Sequence, residues 1–170
     1  MTSVALRLLR AADVPAVLAL QAQCYEAQFL ESARAFEAKL LAAEPHRSSW
    51  IAMQGELAQA YAVALPVCLQ TLPALNAPHI TPSARPELLY LHDLAVAPAG
   101  RSLGLGRLLA EQVEQSARAL GLARIGLIAV QDSLAYWQRQ GFAELPSLPE
   151  GLQAKLASFG PQARWLERQV

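Results

Sequence analysis

The stretch "LHDLAVAPAGRSLGLGRLL", residues 91–109, sets a histidine, a glycine-rich loop and the start of a helix in one short run. Arg101-Ser102-Leu103-Gly104-Leu105-Gly106 lies between a strand-like segment and a helix N-terminus. The first amides of a helix have no partner inside it, and the helix dipole adds partial positive charge there. Glycines let an anion approach those amides closely, so the loop reads as a phosphate cradle, with Arg101 and Arg107 placed to add charge-assisted contacts. The same glycines would serve a tight strand-to-helix turn with no ligand, and the loop alone does not separate the two. The spacing G-x-x-x-G-x-G fits neither the dinucleotide pattern G-x-G-x-x-G nor a P-loop, which needs a following Lys-Ser or Lys-Thr. His92 lies on the strand just before, and an unperturbed imidazole, with a pKa of about 6.5, suits moving protons near neutral pH.

Positioning such a loop takes a strand on one side and a helix on the other. "LLYLHDLAV" is a continuous apolar run and reads as a buried strand, and "RLLAEQVEQSARALG" as an amphipathic helix closed by Gly121. "ARIGLIAV" is a further strand, "DSLAYWQRQ" a short helix, and Gly141-Phe142 a turn into another strand. Upstream, "SVALRLLR" alternates as a first strand, and a helix follows with Asp13 as N-cap and Pro15 in its first turn. A second helix over "ESARAFEAKLLAAEP" has Ser32 as cap and Phe36, Leu40 and Leu41 on one face. "SSWIAM" and "LAQAYAVALPV" form a hairpin around Gly55. Residues 68–87 are proline-rich and take no regular assignment. The tail reads as a helix, a Gly-Pro break and a final strand. Strand–helix–strand order after residue 88 implies parallel pairing, and the hairpin implies antiparallel pairing. The expectation is one α/β domain over residues 1–170, with a mixed parallel and antiparallel central sheet flanked by helices.

Bulk properties narrow the partners. Fourteen basic and fourteen acidic residues give a formal net charge of zero. That balance attracts neither nucleic acid nor an anionic membrane surface. No charged residue occurs from Leu57 to Ala84, but Pro66, Pro73, Pro78 and Pro82 break that stretch, so no membrane span is expected. Cys24 and Cys68 stand far apart, and His46, His79 and His92 form no ligand pair, so no metal site is expected. Two thiols and no signal-peptide pattern point to a cytoplasmic protein, with a homodimer left open.

Taken together, "LHDLAV", "RSLGLG", the long helix, "ARIGLIAV" and "DSLAYWQRQGF" resemble the ordered motifs of the GCN5-related N-acetyltransferases, whose signature is R/Q-x-x-G-x-G/A. Locally, "LHDLAVAPAGRSLGLG" is similar to the arylalkylamine N-acetyltransferase branch. The resemblance implies acetyl transfer from acetyl-CoA to a primary amine of a small molecule by direct attack. It implies a pyrophosphate on the amides from Ser102 to Arg107, and a pantetheine arm paired along Leu94, Ala95 and Val96. Backbone donors at Leu94 or Ala95 would polarise the thioester carbonyl. In the resembling branch a histidine at the place of His92 relays protons, so His92 is the expected base, directly or through water. Strand alternation sets it on the face of Tyr90, Leu94 and Val96, and sets Asp93 opposite, with no catalytic role.

The family's usual tyrosine acid falls on Trp137 here, and an indole N–H is no acid near neutral pH. Tyr136, one place earlier, and Tyr25 are the alternatives for protonating the thiolate, as is unassisted departure; Tyr136 equally reads as core. Trp137 would then pack along pantetheine, and Gln131 would supply an amide contact where the family has asparagine one place earlier. The acceptor is expected between the first two helices and residues 66–87, near Tyr25, Phe29, Tyr61 and Tyr90. Two alternatives stand beside the small-molecule enzyme: a protein lysine or N-terminal acetyltransferase, and a non-catalytic acyl-CoA-binding module.

Overall fold

The computed structural model describes residues 3–170. Among these residues seven strands form one sheet in the order β1-β2-β3-β4-β5-β7-β6. They are β1 (Val4–Leu8), β2 (Trp50–Gln54), β3 (Leu57–Val67), β4 (Leu88–Val96), β5 (Arg124–Ala129), β6 (Ala143–Glu144) and β7 (Arg164–Gln169). Five α-helices accompany them: α1 (Val14–Cys24), α2 (Ala33–Ala43), α3 (Leu105–Ala119), α4 (Leu134–Arg139) and α5 (Leu152–Ala157). All pairings are antiparallel except β4 with β5, the crossover through α3, so the mixed sheet expected from the sequence is present. No helix of the described residues is long and apolar enough to cross a membrane.

One feature of this sheet prepares the site. β4 and β5 pair at only three positions, Leu89 with Ile125, Tyr90 with Gly126 and Leu91 with Leu127. Beyond Leu91 they part, and Leu94 to Val96 keep their β3 partners without a strand on the other edge. An unpaired edge of this kind offers backbone donors and acceptors to an extended ligand.

Three apolar clusters fix the helices. α3 lays Leu105, Leu109, Val113 and Ala117 on Ala52, Ala60, Ala62 and Ala64, small residues that let the helix approach the sheet. Each buried Leu or Val there contributes about 1.5–3 kcal/mol. On the opposite face, Val17 and Leu20 of α1 and Phe36 and Leu40 of α2 pack on Ile51, Tyr61, Val63 and Ala95. The third cluster joins Tyr90, Ile128 and Trp165 to Leu152 and Phe159. Leu41 is 53% exposed and does not join Phe36 and Leu40; the buried stripe of α2 runs through Ala35, Phe36, Lys39, Leu40 and Ala43.

The caps match the sequence in part. Ser32 accepts the Ala35 amide at 3.2 Å and caps α2. Asp13 precedes α1 but does not cap it: its carboxylate accepts the Arg10 amide at 2.9 Å and both Arg7 nitrogens, closing the short 3-10 turn before the helix. α3 begins at Leu105 because Gly104, with φ +68°, turns the chain from a 3-10 segment (Pro98–Leu103) into the helix. Residues 68–87 hold one 3-10 turn (Leu69–Thr71) and are otherwise irregular.

Candidate active site

A bulge in β4 sets the chemistry. Ala64 pairs with Leu91 and Val63 with Asp93, so His92 is an extra residue with no opposite number on β3. Strict alternation would send His92 and Asp93 to opposite faces, as the sequence reading held. The bulge instead turns both toward α1 and α2. His92 shares that face with Tyr90 and not with Leu94 and Val96, which pack with the α3 cluster.

Each of the two side chains meets a different environment. His92 Nε2 lies 2.6 Å from Glu31 Oε1, and Nδ1 lies 3.3 Å from the Tyr90 hydroxyl. Glu31 Oε2 accepts from Lys39 Nζ at 2.8 Å and from the Asn76 amide at 2.7 Å. All three ionisable side chains are enclosed: Lys39 is 0%, Glu31 3% and His92 1% exposed. Burial works against the Glu31 charge, but His92 and Lys39 outweigh it and hold the carboxyl down at about 2. The Gln21 side chain fixes Glu31 by its backbone, accepting from the amide at 3.0 Å and donating to the carbonyl at 2.6 Å.

Among the described residues Asp93 has no cation in contact. Tyr25 donates to Oδ1 and Tyr61 to Oδ2, each at 2.5 Å. Burial pushes the Asp93 carboxyl up to about 6, against the two phenol hydrogen bonds and the nearby His92. Burial also raises the Tyr25 and Tyr61 phenols well above their ordinary value, so both keep their protons. The Tyr25 oxygen lies 2.9 Å from the Leu94 carbonyl as well, and Cys24 Sγ lies 3.3 Å from the Val96 carbonyl. The end of α1 thus reaches the free edge of β4.

A cleft of about 590 Å³ joins these groups to the glycine loop. Of the residues singled out from sequence, His92, Tyr25, Phe29, Leu94, Ala95, Val96, Arg101, Gly104, Gly106, Arg107, Gln131, Tyr136 and Trp137 line it. The first helical bond of α3 runs from the Leu108 amide to the Gly104 carbonyl, leaving the amides of Leu105, Gly106 and Arg107 ahead of it. At Gly106 a Cβ would stand 2.6 Å from the Tyr136 hydroxyl and 3.6 Å from Val96, so a side chain there would fill the cradle. Burial raises the Tyr136 phenol, which faces this helix start as an intact O–H.

Other expectations need correction. Tyr61 and Tyr90 are 0% exposed and do not line the cleft; Tyr61 packs edge-on to Phe36 and Tyr90 stacks on Trp165. Leu105 is buried in the core, while Ser102 and Leu103 are exposed on the 3-10 segment outside the cleft, so that none of the three lines it. The Gln131 amide is already engaged: it donates to the Cys24 carbonyl at 3.3 Å and accepts the Glu26 amide at 2.8 Å. That clasp ties the loop after β5, where Gln131 and Asp132 both have positive φ, to the end of α1. Of residues 66–87 only Leu75 lines the cleft. Phe159 lines it instead, together with Glu31. Sequence reasoning passed over both, and over Lys39, although a lysine inside the Phe36–Leu40 stripe of α2 was a visible signal.

The splayed strands, the exposed helix amides and the glycine that admits no side chain form a fold and cradle of one recognisable kind. The chain belongs to the Acetyltransferase (GNAT) family, whose sequence pattern it matches over residues 14–142. No curated protein matches it in sequence. Among solved structures, it is similar to the loading GNATL domain of CurA from Lyngbya majuscula, with a TM-score of 0.77 at 13% identity over 98% of each chain. It is similar to the GphF GNAT-like decarboxylase in complex with isobutyryl-CoA, with a TM-score of 0.74 at 17% identity over 97% of this chain and 98% of that one. The PaiA N-acetyltransferase from Thermoplasma acidophilum, in complex with coenzyme A, matches over 99% of each chain with a TM-score of 0.69 at 11% identity.

Proposed function

We propose that this protein transfers an acetyl group from acetyl-CoA to a primary amine of a small molecule by direct attack. The observation that carries this reading is one cleft running from the free amides of α3, along the unpaired edge of β4, to Asp93 and the Glu31–His92 pair. The isobutyryl-CoA complex of the GphF neighbour and the coenzyme A complex of the PaiA neighbour support acetyl-CoA as cosubstrate. The residues here suit it: the Leu105–Arg107 amides for a pyrophosphate, Arg101 and Arg107 at its flanks, and the Leu94–Val96 edge for an extended arm. Acetyl-CoA supplies an activated acyl group on a thiol leaving group. This chain's part is to hold it, orient the amine and move protons.

The Tyr136 hydroxyl, protonated and set against Gly106, is the group to protonate the departing thiolate. Trp137, packed edge-on against Tyr136 and Phe142, keeps it in place. His92 was the expected base. With Nε2 on Glu31, Nδ1 facing Tyr90 and a side chain 1% exposed, it presents no free nitrogen to an ammonium and holds the strand and carboxylates in position. Phe29, Leu75, Ile128 and Phe159 supply apolar contact for the body of the amine. The Gln131 clasp favours a small acceptor over a polypeptide, because it bridges the cleft where an open groove would run.

Parallel calorimetric titrations with acetyl-CoA, CoA and NADH test the first half: binding of the two CoA species and not NADH is expected. Release of free thiol across a panel of arylalkyl and alkyl amines tests the second. Binding without turnover on any amine would leave a non-catalytic acyl-CoA module, and turnover on peptides alone a protein acetyltransferase. Gly106→Ala should cost about 1–3 kcal/mol of stability through the displaced Tyr136 and weaken CoA binding; unchanged CoA affinity would remove the cradle assignment.

A further inference from the structure

The Tyr25 hydroxyl has one hydrogen and two acceptors within reach, Asp93 Oδ1 at 2.5 Å and the Leu94 carbonyl at 2.9 Å. It can donate to only one at a time. With Asp93 ionised, Tyr25 donates to the carboxylate and its lone pairs face the cleft. With Asp93 protonated, the carboxyl donates to Tyr25 and the phenol hydrogen turns to Leu94. Tyr61 donates to Oδ2 in both states. The cluster therefore holds one more or one fewer proton with both Asp93 oxygens hydrogen-bonded in either state, which a buried site seldom allows.

We infer that Tyr25 and Asp93 form the proton-accepting pair of this site, Tyr25 taking a proton from the amine and passing its own to Asp93. The inference rests on the amine-transfer reading above. An N–H bond of the ammonium breaks as an O–H bond forms at Tyr25, and the Tyr25 O–H breaks as one forms at Asp93 Oδ1. The neutral amine then attacks the acyl carbon. Its second proton replaces the one that Tyr136 gives to the thiolate, and Asp93 returns the first to solvent. Tyr25 is neutral before and after, consistent with a phenol that burial keeps protonated.

The position supports this over the neighbouring candidates. Tyr25 and Asp93 both line the cleft, and Leu94 belongs to the strand edge that would carry the acyl arm. The groups facing Asp93 are Cys24 at the end of α1 and Tyr25 just after it, Tyr61 from β3, His92 and Tyr90 on its own strand and Glu31 from the segment before α2. Glu31 is compensated by Lys39, and Cys24 is raised by burial and stays a thiol. Asp93 is left as the carboxyl with an ordinary working range near neutral pH, at about 6.

The test compares wild type, Asp93→Asn and Tyr25→Phe in the pH dependence of kcat and kcat/KM, with acetyl-CoA affinity measured alongside. Asp93→Asn should lower kcat about 100-fold or more, abolish the fall of activity on the acid side and leave acetyl-CoA affinity and folding intact. Tyr25→Phe should lower kcat less and displace that acid limb. Asp93→Asn with near-wild-type kcat and an unchanged acid limb would overturn the pair. Infrared titration reads the pair without turnover, so it separates this inference from the reading beneath it. A protonated-carboxyl band should grow in wild type as pH falls from about 8 to about 5, be missing in Asp93→Asn and shift in Tyr25→Phe. Its absence from wild type would overturn the assignment even in an active enzyme. Its presence with no amine turnover would instead overturn the transfer reading.

Discussion

Glu31 and Asp93 are two carboxylates packed against the same face of β4, and they end in opposite states. Glu31 is the better enclosed and yet sits at about 2, because an ammonium and an imidazole touch it. Asp93 sits at about 6 with only neutral hydroxyls for partners. Burial is common to both; the charge of the donors decides the outcome. One carboxylate is a fixed strut and the other a group that can take and give a proton.

That contrast breaks most sharply at Lys39. Lys39→Met removes the ammonium and leaves Glu31 buried with His92 and one amide, so unfolding free energy should fall by about 3–5 kcal/mol. Denaturant unfolding at neutral pH measures this, and a loss below 1 kcal/mol would mean that the ion pair is not what holds Glu31 anionic. Asp93→Asn should act in the other direction. Because the folded-state value of Asp93 is raised above its ordinary 3.8, folding binds a proton between about pH 4 and pH 6, and stability falls as pH rises through that window. The asparagine variant escapes this and should be more stable than wild type at pH 8 by about 1–3 kcal/mol. A variant less stable than wild type there would show that the two phenol bonds repay the buried charge. Glu31 has the opposite slope: its folded value is depressed, so its contribution is complete above about 4.5 and is lost as pH falls toward about 2. Thermal melts across the acid range should lose part of their decline in Glu31→Gln. Tyr61→Phe gives the smallest effect, about 1 kcal/mol, with the Asp93 infrared transition moved to higher pH; no movement would place the burden of Asp93 on Tyr25 alone.

The parts of this site that were legible in the sequence are local ones. The glycine loop, its flanking strand and α3 occupy consecutive residues, and their geometry follows from short-range rules. The capping by Ser32 and the hairpin at Gly55 belong to the same category. What escaped was assembled from distant pieces. Glu31 meets His92 across 61 positions, and Gln131 meets Glu26 across 105. Tyr25 and Tyr61 reach Asp93 from two different elements. Lys39 alone left a local trace, a charge at a buried position of an apolar stripe. The orientation of Asp93 was misread for a different reason: alternation is a property of one strand, whereas a bulge is set by the register of two.

That register has a consequence in the currency of insertions and deletions. Asp93 shares the face of its partner Val63, and not the one that alternation from Leu91 would give it, because β4 has one residue more than β3 between those paired positions. Adding one residue to β3 beside Val63 would give His92 an opposite number and restore an unbroken ladder with nearly the same composition. With Leu91 kept on the α3 side, it would also drive the carboxylate among the apolar side chains of the α3 cluster. At this point of the chain one added residue should therefore be tolerated less well than most changes of side chain.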